Sequence, residues 1–225
     1  MSKYLLVILG LEGTGHHGIC HVLSGKVKHS FQIESQVKSL IAADELTFGK
    51  HSNKLMEQLR MLPNASTTMF QCSRKFSSIS GFKMSFPDQS LSQRLPKIEG
   101  KVTTHLNVPY LQTLCDRSNV TLLAVHLKRK IYEAVISSTR FNNFVSQARM
   151  LRLNALALHA MLPRLRNRFD VRYDHFEIDM HQLSPYIDLR LLNMSLFRTS
   201  HHELTATQRQ YIDTLFFDIA HDGYM

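Results

Sequence analysis

The sequence predicts an α/β protein, a three-layer sandwich whose central, mainly parallel sheet is covered by helices on both faces. Three observations carry that expectation. Residues 4–9 are a continuous apolar run of strand length, without the alternation of a half-exposed strand, as expected of a strand buried on both faces, and 120–125 are the second strongest strand signal. The first run stops at Gly10, and a glycine-bearing stretch then opens a helix. Strand-like and helix-like segments alternate over the remainder, the arrangement of βαβ units.

The elements follow in order. After strand 4–9, Ile19, Val22 and Leu23 recur at helical spacing up to Gly25. Residues 31–62 read as mainly helical, with Leu40, Leu55, Leu59 and Leu62 as core positions and Pro63 as the stop. Residues 67–72 form a strand, and 73–100, rich in Ser, Lys, Gly and Pro, a long loop. A strand at 101–106 precedes a helix from Pro109, and strand 120–125 precedes a helix from about Arg129. Residues 146–165 have helical periodicity, 170–176 read as a final strand, and helices are expected near 184–193 and 205–221.

With 225 residues and 44% apolar content, the chain can bury a sizeable core, and one domain over residues 1–225 is the expectation. Lys and Arg number 27 against 18 Asp and Glu, a formal charge of +9 that favours anionic partners. No apolar run approaches the length of a membrane span and no basic leader precedes one. Cys20, Cys72 and Cys115 are too few and too far apart for a disulfide framework or a zinc knuckle, so a reduced, cytoplasmic setting is expected. His175, His181, His201 and His202 lack the spacing of a zinc helix motif.

Two segments carry chemistry. Gly10-Leu11-Glu12-Gly13-Thr14-Gly15-His16-His17 lies between a strand and a helix, where backbone N–H groups and the helix N-terminus form a phosphate cradle. Gly13, Thr14, Gly15, His16 and His17 are its candidate binding residues. Its spacing is that of the first half of a P-loop, with His16-His17 in place of the Lys-Ser/Thr pair. The same spacing also serves a tight strand–helix turn that binds nothing. The second segment is Leu127-Lys128-Arg129-Lys130, with Ser137 eight residues after Arg129. Eight helical residues span about 12 Å, so one phosphate touches both if Arg129 reaches over the helix start. Alternatively, the basic triplet is a solvated turn.

Taken together, the two segments resemble the sulfotransferases that use 3′-phosphoadenosine-5′-phosphosulfate. The second is similar to that family over Ala124-Val125-His126-Leu127-Lys128-Arg129-Lys130-Ile131-Tyr132-Glu133-Ala134-Val135-Ile136-Ser137, and Arg140-Phe141 continues it. Asp170-Val171-Arg172-Tyr173-Asp174-His175-Phe176 resembles the family's Arg-Tyr-Glu-Asp-Leu strand end, and Lys101-Val102-Thr103-Thr104-His105-Leu106 its Lys-Thr-His-Leu segment. The resemblance implies sulfuryl transfer to a hydroxyl or amine of a small-molecule or carbohydrate acceptor, with the phosphosulfate nucleotide as co-substrate and no metal. The loop through His17 would hold the 5′-phosphosulfate, and Arg129 with Ser137 the 3′-phosphate. His105 is the implied base and Glu12 an alternative to it, while His16 offers a hydrogen bond or, protonated, a charge. Loop 73–100 is the expected place for acceptor contacts.

Departures from the family are specific. Gly13, beside Glu12, stands where the loop normally has Lys or Arg, His16 and His17 where it has Thr or Ser, and Lys130 where it has Asp. A P-loop kinase is the enzymatic alternative, against which the missing lysine counts. A non-catalytic module for RNA or a sulfated glycan is permitted by charge, although aromatic and basic residues do not interleave as a stacking platform requires, so nucleic acid is disfavoured.

Overall fold

The structure, a computed structural model, describes residues 2–11, 15, 19, 23, 52–62, 64, 67–71, 108–139, 143–189 and 203–219. Within these the protein is α/β. Four strands, β1 (Lys3–Gly10), β2 (Thr67–Gln71), β3 (Val120–Lys128) and β4 (Arg168–Arg172), form a parallel sheet in the order β2-β1-β3-β4. The chain steps from β1 to one side and then crosses back to the other, which leaves β1 and β3 adjacent at the centre. Eight residue pairs join them, from Lys3 opposite Val120 to Gly10 opposite Leu127.

Strand alternation sorts the apolar runs into two clusters. Leu5, Val7 and Leu9 of β1 share a face with Leu122 and Ala124 of β3, while Leu6 and Ile8 share the other with Leu123, Val125 and Leu127. The first face is covered by α1 (Ser52–Arg60), α2 (Val108–Arg117), α3 (Ile131–Thr139), α4 (Phe144–Met161) and α6 (Ala206–Phe216). The second receives Ile19, Leu23, Val171, Phe176, Met180, Leu183 and Ile187. Each fully buried leucine on either face contributes about 1.5–3 kcal/mol.

Local chemistry sets the helix ends. Pro109 sits in the first turn of α2, where its missing N–H is harmless, and Asn119, in the left-handed region at φ 55°, reverses the chain into β3. Cys115 of α2 is buried against the sheet, and burial, with Asp116 adding to it, pushes its thiol well above its ordinary range. The Asn143 side chain accepts from the backbone N–H groups of Val145 and Ser146 at the start of α4. Thr205 and Gln208 form a capping box at the start of α6. Arg152 of α4 holds Asp218 through two bonds of 2.6 and 2.9 Å, which ties α4 to the turn after α6.

Two expectations are corrected. The final strand ends at Arg172 instead of running to Phe176: Tyr173–His175 form a 3₁₀ turn and α5 (Phe176–Met180) follows. Val171 and Phe176 lie in the same apolar cluster, whereas five residues of continuous strand would put them on opposite faces. The Asp179 carboxylate closes the turn, accepting from the backbone N–H of Arg172 and from its guanidinium Nε and Nη2, each at 2.9 Å. Residues 184–186 form a turn, where a helix was expected from Ser184, and the part of that helix beyond residue 189 lies outside the described residues. The predicted strand at 101–106 and loop at 73–100 also lie outside them. No helix among the described residues is long and apolar enough to cross a membrane.

Asp179 is 7% exposed, and hydrogen bonding from Arg172 holds its carboxyl below the usual carboxylate range against the opposing effect of burial. A depressed folded-state pKa gives stability that is present above the unfolded pKa and lost as pH falls through the folded one. Asp179→Asn is therefore expected to cost about 1.5–3 kcal/mol at neutral pH, the range for hydrogen bonds to charged groups. The gap between variant and parent should close below about pH 4. Urea unfolding at several pH values measures this, and a pH-independent gap would refute the role of the charge.

Candidate functional site

The carboxyl ends of β1, β3 and β4 meet along one edge, since Gly10 is level with Leu127 and Lys128 with Arg172. From that edge the chain leaves in opposite directions. After β1 it passes Gly15, whose carbonyl accepts from Ile19 N–H at 3.1 Å in a helical bond, and Ile19 and Leu23 enter the second cluster. After β3 it turns through Arg129 and Lys130 into α3, whose Ile131, Ala134 and Val135 enter the first. Chains diverging to opposite faces mark a switch point at this edge of the sheet, the kind of place where open α/β sheets bind ligands.

Three residues from three segments meet at this edge. Arg129 is 4% exposed, and its guanidinium carbon lies 4.4 Å from the centre of the Tyr173 ring. Against the Cε2–Cδ2 edge of the ring is Gly15, at φ +89°, where a Cβ would stand 2.5 Å from Cε2 and 2.9 Å from Cδ2 of Tyr173. Gly15 is thus required twice, by its backbone angle and by the closeness of the ring. Burial pushes the Tyr173 phenol up and the Arg129 charge opposes it. Arg129 Nε donates to Glu133 Oε2 at 3.1 Å, one turn into α3, so the guanidinium is oriented from two sides. Lys130 adds a surface pair with Asp174 at 3.5 Å.

Among the residues singled out from sequence, Gly15 and Arg129 are brought together through Tyr173, and half-buried Ser137 lies further along α3 on the same segment as Arg129. Glu12, Gly13, Thr14, His16, His17 and His105 lie outside the described residues. The sequence reading passed over Tyr173 and Glu133 as site residues. The signal for Glu133 was its place four residues after Arg129, the spacing of neighbours on a helix. For Tyr173 it was an aromatic residue directly after a strand end that a resemblance had already marked. A second polar pair, His126 and Asp170, joins β3 to β4 at 3.3 Å. Among the described residues no three His, Cys, Asp or Glu side chains gather to hold a metal ion.

Replacing Gly15 by Ala combines backbone strain of roughly 1–2 kcal/mol with displacement of the Tyr173 ring, about 1–3 kcal/mol. The double variant with Tyr173→Ala removes the second cost, so denaturant unfolding should show the two substitutions to be non-additive. Strict additivity would show that ring and glycine do not touch. No protein-family model matches the chain, and a search of curated proteins likewise finds no match.

Proposed function

We propose that the protein is a divergent sulfotransferase, cytoplasmic and a single domain, that moves a sulfuryl group from 3′-phosphoadenosine-5′-phosphosulfate to a hydroxyl or amine acceptor. The observation that carries this reading is the contact of Tyr173 with both Gly15 and Arg129 at the sheet edge where the chains after β1 and β3 diverge. It couples a glycine loop suited to one phosphate with a buried guanidinium suited to another, as a nucleotide phosphorylated at both 3′ and 5′ positions requires. In the finer architecture proposed, a three-layer sandwich carries a P-loop-like strand–loop–helix after β1.

On this reading the loop through Gly13, Thr14, Gly15, His16 and His17 receives the 5′-phosphosulfate on backbone N–H groups. His16 donates to the oxygens on which charge grows as the bridging bond breaks. Arg129 and Ser137 hold the 3′-phosphate. Glu133 already engages Arg129 Nε, so it fixes the guanidinium plane and places a like charge beside the incoming phosphate. His105, or Glu12 in its place, takes the acceptor proton. A kinase would need a cation for a γ-phosphate, and the loop sequence has Gly13-Thr14-Gly15-His16 at that point.

Adenosine 3′,5′-bisphosphate is expected to raise the melting temperature well above the effect of ATP with magnesium or of RNA. An equal or larger ATP shift would turn the reading toward a kinase. Arg129→Ala should weaken the bisphosphate by about 1.5–3 kcal/mol and Ser137→Ala by less. Calorimetry that finds both variants binding like the parent would remove the 3′-phosphate site.

A further inference from the structure

The other edge of the sheet, where the strands begin, carries features that the candidate site does not use. Lys3 opens β1 level with Val120 of β3, and β2 begins level with Tyr4. Helices α1 and α2 both bring their last turns to this edge: the Lys3 ammonium donates to the Arg60 carbonyl, and Arg60 Nη2 donates to the Arg117 carbonyl at 3.4 Å. The segment before β4 joins them, since Gln112 of α2 donates to the Arg164 carbonyl at 3.3 Å and accepts from the Arg166 N–H at 3.0 Å. Lys3, Arg60, Arg117, Arg164 and Arg166 therefore gather around the end of α2. The arginines among them are exposed and Lys3 is partly so. The carboxylates of these two helices are Asp116, which pairs with Arg166, and Glu57, a turn back along α1.

Helix dipoles account for part of this arrangement, because Arg60 and Arg117 are the last residues of α1 and α2 and a cation is stabilising there. They do not account for Met61. It directly follows Arg60 and is 73% exposed, whereas the next residue, Leu62, is 2% exposed and belongs to the core. The Met61 thioether lies 3.9 Å from Gln58 Nε2, on the surface of α1. A single-stranded nucleic acid would need exposed rings to stack on. Tyr4, the aromatic residue beside Lys3, instead packs edge-on against Tyr186 with ring centres 5.1 Å apart. An exposed flexible apolar side chain set among cations matches the interface of an anionic bilayer, where headgroups meet the cations and the acyl boundary meets the apolar chain.

We infer that this edge docks reversibly on an anionic lipid surface, with Lys3, Arg60 and Arg117 at the level of the headgroup phosphates and Met61 inserted beneath them. One apolar side chain and a few cations give weak binding, as single anchors do. Strand β1 has 8 residues and separates this edge from the candidate site by about 23 Å. Docking thus leaves the site turned away from the bilayer and open to ligands in solution, and it is independent of what the site binds.

The test is co-sedimentation of the full chain with vesicles of phosphatidylcholine alone and of phosphatidylcholine mixed equally with phosphatidylserine. Binding is expected on the mixed vesicles only and should fall as salt is raised. Arg60→Gln and Arg117→Gln should each weaken it about fivefold, and Met61→Ser by about five- to tenfold. Arg149→Gln, which removes an exposed arginine of α4 that donates to Tyr211, should change it less. The substituted side chains are exposed, and thermal unfolding checks that each variant is folded. A parent that ignores the mixed vesicles overturns lipid docking, as does binding that the Arg60 and Arg117 variants leave unchanged. If Met61→Ser binds like the parent, charge alone holds the chain; lipid docking is then overturned in favour of a polyanion surface for which duplex RNA would compete. Methyl NMR of the unsubstituted chain gives a second reading: a spin label in the mixed vesicles should broaden the Met61 signal, and an unaffected signal overturns the insertion.

Discussion

The pairing of β1 with β3 is the constraint from which the other positions follow. Eight parallel residue pairs between two strands with apolar side chains on both faces fix one register, because a slip by one residue would turn each strand's side chains to the wrong cluster. With that register set, Gly10 and Leu127 end together, the two following segments must separate to opposite faces, and Arg129 is delivered to the edge where they part. The same register brings β4 alongside β3 so that Tyr173 arrives at Arg129 and Asp170 at His126. The candidate site is thus a consequence of strand alignment before it is a matter of individual side chains.

What could be read from sequence divides along that line. β1 was legible because burial on both faces leaves a continuous apolar run, β3 because its segment is nearly all apolar, and α4 because helical periodicity is short-range. The extent of β4 was not. Val171, Tyr173 and Phe176 look like strand residues until it is known that Val171 and Phe176 share one cluster, which is a tertiary fact. The site divides in the same way. The glycine loop and Arg129 were legible, whereas the contact between them passes through Tyr173, far along the chain. The His126–Asp170 pair depends on the alignment of two strands 44 residues apart, which neither segment encodes alone.

The excess of positive charge also takes a more specific form in the fold. Arg129, Arg152, Arg168 and Arg172 each face a carboxylate, from Glu133, Asp218, Asp170 and Asp179 respectively. The exposed members of such a set contribute about 0–1 kcal/mol each. Arg129 and Asp179 differ because they are buried: Glu133 orients the guanidinium of Arg129, and Arg172 holds the Asp179 carboxyl below its usual range. A sequence-level charge of +9 therefore says less about ligand binding than the placement of one guanidinium between an aromatic ring and a glutamate.

The buried thiol of Cys115 sits where α2 meets the sheet, and its raised pKa and lack of exposure keep the reactive thiolate scarce and out of reach. An alkylating reagent can modify it when α2 parts from β3, so the rate of modification at this residue counts openings of the core in the native protein. The chain therefore carries an internal clock for its own breathing, one that needs no engineered probe and that reports on the strand pair on which the fold depends.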